Sequence, residues 1–165
     1  MDFRVEGATK RFSWADQDVA CGLGRNGTAK DGHEGDGATP IGRFALRRLL
    51  YRADRVRTPK TILPMQAIAR DDGWCDDPSH PAYNRPVKLP FAASHEKIWR
   101  GDEVYDLVVV LGHNDAPIVA GAGSAIFLHL ARPDYGDSAG CITLAKKDLL
   151  AVLIACQGDD WLLVK

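Results

Sequence analysis

The sequence has no apolar stretch that approaches the roughly 18 to 20 residues needed for a membrane-spanning helix. Residues 1–6, with the sequence MDFRVE, also have neither the basic nor the apolar region of a signal peptide. The chain is therefore expected to have no transmembrane segment. The chain as a whole has no large excess of one charge either, because 21 Lys and Arg side chains balance 22 Asp and Glu. This balance gives no reason to expect nucleic acid as a partner.

Cysteine is scarce, and its spacing excludes two common kinds of small domain. The four cysteines, Cys21, Cys75, Cys141 and Cys156, include no Cys-x-x-Cys pair. They are too few for a disulfide scaffold in a chain of 165 residues, and their spacing matches no zinc finger. We expect Cys21 and Cys156 to be small buried apolar residues, which is a common role for a lone cysteine.

The sequence also lacks internal repeats and low-complexity linkers. With 165 residues and 45% hydrophobic content, it can form one core of ordinary size. We therefore expect one domain over residues 1–165, and a monomer.

The patterning predicts a mainly β protein with one helix near the end of the chain. The helix is predicted over residues 146–155, with Thr143 as a candidate N-cap and Gly158 as the stop. The β-branched run at 105–112 predicts a central strand. Further strands are predicted over residues 3–5, 10–14, 18–23, 43–51, 125–128 and 161–164.

Two polar stretches are predicted to be loops. Residues 25–39 are rich in Gly, Asp, Lys and Asn and should form a surface loop. Residues 71–95 contain many prolines and are predicted to form a long functional loop, with a short helix as an option. Tyr83 is a candidate lining residue of such a lid. The alternative is a packed loop in which Trp74 and Tyr83 form a small core of their own.

The strongest chemical signal lies in residues 124–144. An apolar strand leads to His129, and a glycine turn then leads to Cys141. The thiolate is the reactive form of cysteine, and an imidazole can take the proton from the thiol. Gly140 allows a sharp turn before the nucleophile, so that nearby N–H groups, including those of Gly140 and Cys141, can stabilise an oxyanion. The competing interpretation is a core histidine and an inert buried thiol.

This pattern resembles the L,D-transpeptidase catalytic domain of the YkuD type. The signature of that family is a histidine at a strand end followed by Ser/Thr-His-Gly-Cys, and the matching residues are His129 and residues 138–141 (SAGC). Residues 37–44 (GATPIGRF) look like the Thr-Pro-x-Gly-x-Phe turn and strand of the same family. The resemblance covers about Phe12 to Val164. It implies a fold of curved mixed β-sheets, similar to a sandwich or barrel, with a helix after the catalytic cysteine.

One position departs from the family signature. The usual histidine two residues before the cysteine is Ala139 in this chain. The base role belongs to the upstream histidine, so the resemblance implies a divergent member that keeps its nucleophile and base. His113 follows the predicted central strand, and we hypothesise that it shares the cleft with His129 and replaces the missing histidine. The alternative for His113 is a turn in which Asn114 and Asp115 bond to backbone.

The resemblance implies an enzyme that forms a thioacyl intermediate on Cys141 and cross-links peptidoglycan stem peptides. If water replaces the amine acceptor, the same site is a carboxypeptidase. A third option is a catalytically silent wall-binding module. The family implies a location in the periplasm or cell envelope, whereas the missing signal peptide leaves a cytoplasmic location open. We expect no cofactor.

Two more residues are candidates for substrate binding. Arg132 lies between His129 and Cys141 and is suited to bind a stem carboxylate, unless it pairs with Asp134 or Asp137. Ser138 is a candidate for contacting substrate or for orienting the turn.

A metal site is a further alternative. Imidazole and thiolate suit zinc, so the sequence leaves open a site built from His95, His113, His129 and Cys141.

Overall fold

Alternation of buried and exposed residues defines the strands at the start and the end of the chain in the computed structural model, which describes all 165 residues. In the first strand, Phe3 and Val5 are buried while their neighbours are exposed. This period of two places one face of a strand on the core. The strands are β1 (Asp2–Glu6), β2 (Arg11–Trp14), β3 (Gln17–Ala20), β4 (Thr28–Ala29), β5 (Thr39–Pro40), β6 (Gly42–Tyr51), β7 (Met65–Ala67), β8 (Asp72–Cys75), β9 (Pro86–Lys88), β10 (His95–Lys97), β11 (Leu107–Leu111), β12 (Phe127–Leu130), β13 (Ile142–Leu144) and β14 (Trp161–Val164), and the helix is α1 (Lys146–Ala155).

Nine strands form one mixed sheet that closes on itself almost completely. Its order is β13-β12-β11-β6-β14-β1-β2-β3, with β7 paired to β6. Gly22, which follows β3, exchanges two backbone hydrogen bonds of 2.9 Å with Thr143 of β13. The two ends of the sheet therefore meet, as the expected curved and barrel-like fold requires.

The central strands β11 and β12 are buried on both faces. Leu107, Val109 and Leu111 of β11 belong to the main core of 23 residues. Val108 and Val110 point to the opposite face and belong to a second cluster of 11 residues, which also contains Phe127 and Cys141. The predicted central strand is therefore confirmed, with its start at Leu107 rather than at residue 105.

Helix α1 packs on the main core through Leu149, Val152 and Leu153. Its range is the predicted one, but the predicted cap is wrong. Thr143 lies within β13, and the N-cap position is Ala145, which makes no side-chain capping bond. The helix is therefore held mainly by its apolar contacts rather than by its cap.

The prediction of an irregular loop over residues 71–95 is wrong in part. Strands β8, β9 and β10 form a three-stranded antiparallel sheet in this region, and no helix occurs there. Pro86 opens β9, an edge strand, where a missing N–H is tolerated. Trp74 of β8 packs edge-on against Phe127 with ring centroids 5.1 Å apart. This small sheet therefore packs on the face of β12 that carries Phe127, instead of forming a separate core of its own.

Residues 25–39 form a loop as predicted, except that the short strands β4 and β5 pair at its two ends. The predicted strand over residues 18–23 is shorter, since β3 ends at Ala20 and Gly22 forms an isolated bridge. No helix in the structure is long and apolar enough to cross a membrane.

Candidate active site

Strand pairing brings the predicted histidine and cysteine together. Strands β12 and β13 run parallel, with His129 opposite Thr143 and Leu128 opposite Ile142. Cys141 immediately precedes β13, so its side chain lies beside β12. Both Cys141 and His129 line one cavity with a volume of about 290 Å³.

The thiol of Cys141 is buried at the base of this cavity, with 7% of the residue exposed. Its Sγ donates to the Ala125 carbonyl at 3.3 Å and accepts from the Phe127 N–H at 3.4 Å. Burial and, to a smaller extent, the charge of Glu96 together raise the pKa of Cys141 to about 12, while the Phe127 N–H acts against this increase. The resting group is therefore a neutral thiol that already has one N–H donor for a thiolate.

The imidazole of His129 is also neutral. Burial lowers the pKa of His129 to about 4. The Nδ1 atom lies 3.0 Å from the Leu130 carbonyl oxygen. Because a carbonyl can only accept a hydrogen bond, this contact places the proton on Nδ1 and leaves the lone pair on Nε2. The ring packs edge-on against Tyr105 at a centroid distance of 4.9 Å. A neutral base with a fixed tautomer is thus available in the cavity.

The turn before Cys141 depends on glycine at position 140. Gly140 has φ of +140°, and a Cβ atom there would lie 2.8 Å from the Ala38 carbonyl oxygen. Ala38 belongs to the residue 37–44 segment noted above, so this turn and that segment are in direct contact. A larger residue at 140 would strain the backbone and push the two segments apart.

The expected oxyanion donors are only partly available. The Gly140 N–H donates to Ser138 Oγ at 3.2 Å, whereas the Cys141 N–H has no acceptor. Ser138 Oγ in turn donates to the Cys141 carbonyl at 2.7 Å. Ser138 therefore orients the turn, although it also borders the cavity. The Cys141 amide is the donor that can receive an oxyanion in this conformation.

His113 does not lie in the cavity that holds Cys141, contrary to the hypothesis from the sequence. Its Nε2 lies 3.2 Å from the Ala122 carbonyl, and its ring packs against Phe44. It borders two other depressions. Asn114 forms side-chain bonds to the backbone of Val119 and Gly123. The turn interpretation is therefore the correct one for Asn114, while Asp115 instead pairs with Arg47.

Tyr83 is buried and does not line the cavity either. Its hydroxyl donates to Glu34 at 2.5 Å and accepts from the Gly123 N–H at 3.0 Å. Glu34 does line the cavity. Tyr83 therefore connects the residue 25–39 loop to the segment before β12, and its role is to hold the rim of the cleft rather than to face it.

Arg132 lines the cavity, as a carboxylate-binding residue must. Its side chain is 52% exposed, and its only ion-pair partner is Asp102 at 3.7 Å. The alternative prediction of an ion pair with Asp134 or Asp137 is wrong, because Arg132 pairs with neither residue. Asp102 is already bound by Arg100 through two bonds of 2.7 Å. The guanidinium of Arg132 is therefore largely free for a ligand.

The four residues of the alternative metal site are not gathered at one point. His129 and Cys141 share a cavity that neither His95 nor His113 lines. The His95 ring packs against Phe91, with Nδ1 directed at the Ala93 carbonyl at 2.8 Å. No group of three or more His, Cys, Asp or Glu side chains in the structure has an arrangement that would hold a metal ion.

The sequence model of the YkuD family, the L,D-transpeptidase catalytic domain, matches residues 3–162. The chain belongs to the YkuD family. The match begins at residue 3, so the YkuD resemblance extends further toward the start than the expected Phe12. Comparison with curated proteins gave no significant match. The YkuD assignment agrees with the mainly β fold, its almost closed mixed sheet and the helix after the cysteine.

Several residues of this YkuD-family cleft were not identified from the sequence. Arg25 and Arg100 add positive charge to its lining, and Asp76, Glu96 and Glu34 add negative charge. Tyr105 also lines the cavity beside His129. No motif marks these residues, because they come from separate strands and loops that meet only in the folded protein. These residues can be identified only from the lining of the folded cavity.

Proposed function

We propose that this YkuD-family protein is a cysteine-dependent L,D-transpeptidase that acts on peptidoglycan stem peptides. The observation that supports this proposal most is that Cys141 and His129 line one cavity, with the imidazole neutral and its tautomer fixed. An acyl-transfer enzyme needs a thiol nucleophile and a base in a shared cleft. The family match supports the choice of substrate class.

In the proposed acylation step, Nε2 of His129 takes the thiol proton as Sγ of Cys141 attacks the substrate carbonyl carbon. The attacked bond joins the L-centre of a diamino acid to a terminal D-amino acid. The Cys141 N–H receives the oxyanion, and the Phe127 N–H stabilises the thiolate. His129 then protonates the departing amine. The product is a thioester on Cys141 and a free D-amino acid.

In the second step an amine from another stem attacks the thioester carbon while His129 takes a proton from the amine, and His129 then passes this proton to the sulfur as the C–S bond breaks. If water attacks instead, the same thioester yields a carboxypeptidase reaction. The free guanidinium of Arg132 is suited to hold a stem carboxylate during either step. Peptidoglycan lies in the cell envelope, which is the location that this substrate implies.

The test is intact-mass spectrometry of the protein incubated with purified tetrapeptide muropeptides, with analysis of the muropeptide products. The wild type should gain the mass of an acyl group and release dimeric products. Cys141→Ala should give neither result, while Cys156→Ala, a matched change of a buried cysteine in the main core, should retain both.

Each outcome distinguishes one of the three functions. Trimmed monomers without dimers would indicate a carboxypeptidase. No adduct and no product would overturn the enzymatic proposal and favour the silent wall-binding module.

A further inference from the structure

Glu96 is an acidic residue of the cleft for which the proposed acylation step has no use. It lies in the middle of β10, and its side chain lines the cavity that holds Cys141 and His129. Its carboxylate accepts a hydrogen bond from the Tyr105 hydroxyl. The Tyr105 ring packs edge-on against the His129 ring, with centroids 4.9 Å apart. One aromatic side chain therefore connects Glu96 to the proposed base.

Glu96 forms no ion pair. Arg100 is the cation that lowers the pKa of Glu96, but its guanidinium is engaged by both carboxylate oxygens of Asp102. Asp76 and Glu34 line the same cavity, and their negative charges raise the pKa of Glu96. In addition, Asp76 Oδ1 is buried without a hydrogen-bond partner. This part of the cleft therefore has acceptors for a positively charged ligand.

This charge opposes the first half of the proposed reaction. A carboxylate near a thiol disfavours the thiolate, and Glu96 contributes to the raised pKa of Cys141. The Tyr105 hydroxyl alone does not explain a carboxylate, because the amide oxygen of a glutamine would accept the same bond without that penalty. A group that hinders acylation and remains unpaired is better explained by the second half of the reaction, in which an amine must enter.

We infer that Glu96, held by Tyr105 and assisted by Asp76, binds the ammonium group of the acceptor and takes its proton before the amine attacks the thioester. This inference rests on the proposed function. The ammonium loses one proton to the Glu96 carboxylate and becomes a neutral amine. The amine nitrogen then bonds to the thioester carbon, the C–S bond breaks, and the second proton passes through His129 to the Cys141 sulfur.

Burial supports this role for Glu96. It raises the pKa of Glu96, which makes the carboxylate a better proton acceptor than an exposed one. Arg25 and Arg132 line the same cavity and can hold a carboxylate there. The cleft therefore fits a primary amine with a carboxylate on the same ligand, as in the head group of an amino acid. Tyr105 acts as a positioning residue, since it contacts Glu96 and His129 rather than the amine.

The experiment separates the two half-reactions on Cys141. The thioacyl-enzyme is formed with a tetrapeptide muropeptide, and its rate of formation is followed by intact-mass spectrometry. Its loss is then measured with buffer alone and with meso-diaminopimelate as the acceptor. For Glu96→Gln, adduct formation should be at least as fast as in the wild type. The amine-dependent loss should fall at least about tenfold, and the water-dependent loss should be unchanged.

Two further variants control for structural damage. Glu103→Gln, an exposed residue of the same charge outside the cleft, should match the wild type in all three rates. Tyr105→Phe keeps the ring beside His129 and removes the hydroxyl, so it should lower the amine-dependent rate less than Glu96→Gln does. Circular dichroism should show that each variant is folded.

The inference is overturned if Glu96→Gln slows adduct formation and amine-dependent loss equally, or if the ratio of aminolysis to hydrolysis does not change. A wild-type adduct that only water resolves would also overturn it, while leaving cysteine acyl transfer intact. A wild type that forms no adduct on Cys141 would overturn the proposed function, and this role of Glu96 with it.

Discussion

The two faces of the central strands carry different kinds of buried residue. On one face, Leu128 and Leu130 of β12 join the main core with α1. On the other face, Phe127 packs beside Cys141 in the smaller cluster, and His129 borders the cleft. The first face contains apolar side chains closed off from water, whereas the second mixes apolar residues with a thiol, an imidazole and charged side chains of both signs. The same strand thus contributes to stability through alternate residues and to the proposed chemistry through the others.

The largest expected effect comes from His129 on the cleft face. His129→Ala should lower the rate of Cys141 acylation by at least about a hundredfold, because a positioned base is lost. His113→Ala should leave that rate nearly unchanged, since His113 lies outside the cavity. Adduct formation with a muropeptide measures both rates. Equal losses in the two variants would contradict the assignment of His129 as the base.

Leu128, which precedes His129 in β12, is the corresponding residue to change on the core face. Leu128→Ala should lower the free energy of unfolding by about 2 to 5 kcal/mol, because a fully buried side chain is replaced by a cavity. Chemical denaturation measures this loss. The folded fraction of the variant should still acylate Cys141, since Leu128 does not line the cleft. Loss of acylation in folded protein would show that the two faces are not independent.

The pH dependence should follow from the buried neutral imidazole. The pKa of His129 is about 4 in the folded protein, against an ordinary value near 6.5. Between these values the unfolded chain binds more protons, so the free energy of unfolding should fall as pH drops from about 6.5 toward 4. Acylation should likewise decline as pH falls through about 4. Denaturation of His129→Ala should show a smaller decline in stability, and an unchanged decline would assign the effect to other groups, such as His113.

The smallest expected effect is at the rim of the cleft. Arg132→Ala should raise the KM for a carboxylate-bearing donor by about two- to fivefold with little change in kcat, because an ion pair at an exposed position is lost. Steady-state kinetics with the muropeptide would measure both constants. Arg57→Ala, an exposed arginine away from the cavity, is the control. A fall in kcat without a change in KM would contradict a binding role.

Local patterns were sufficient for the elements with a clear apolar pattern. The helix over residues 146–155 and the strand over 161–164 lie where the sequence predicts them. The sheet of β8, β9 and β10 was missed because its strands have three or four residues and contain proline and charged side chains, so no period of two was visible. Its strands are defined by pairing with each other and by Trp74 packing on Phe127.

The sequence by itself determined the family and predicted that Cys141 and His129 share one cavity, because both residues lie within one continuous motif that strand and turn propensities shape locally. Only the tertiary structure decided which charged groups accompany them. Glu96, Asp76 and Arg25 come from different strands and loops, and His113 lies outside the cavity although it closely follows the central strand β11. The physical reason is that cleft composition depends on contacts between distant segments, here created by a sheet that curves until its ends meet at Gly22 and Thr143.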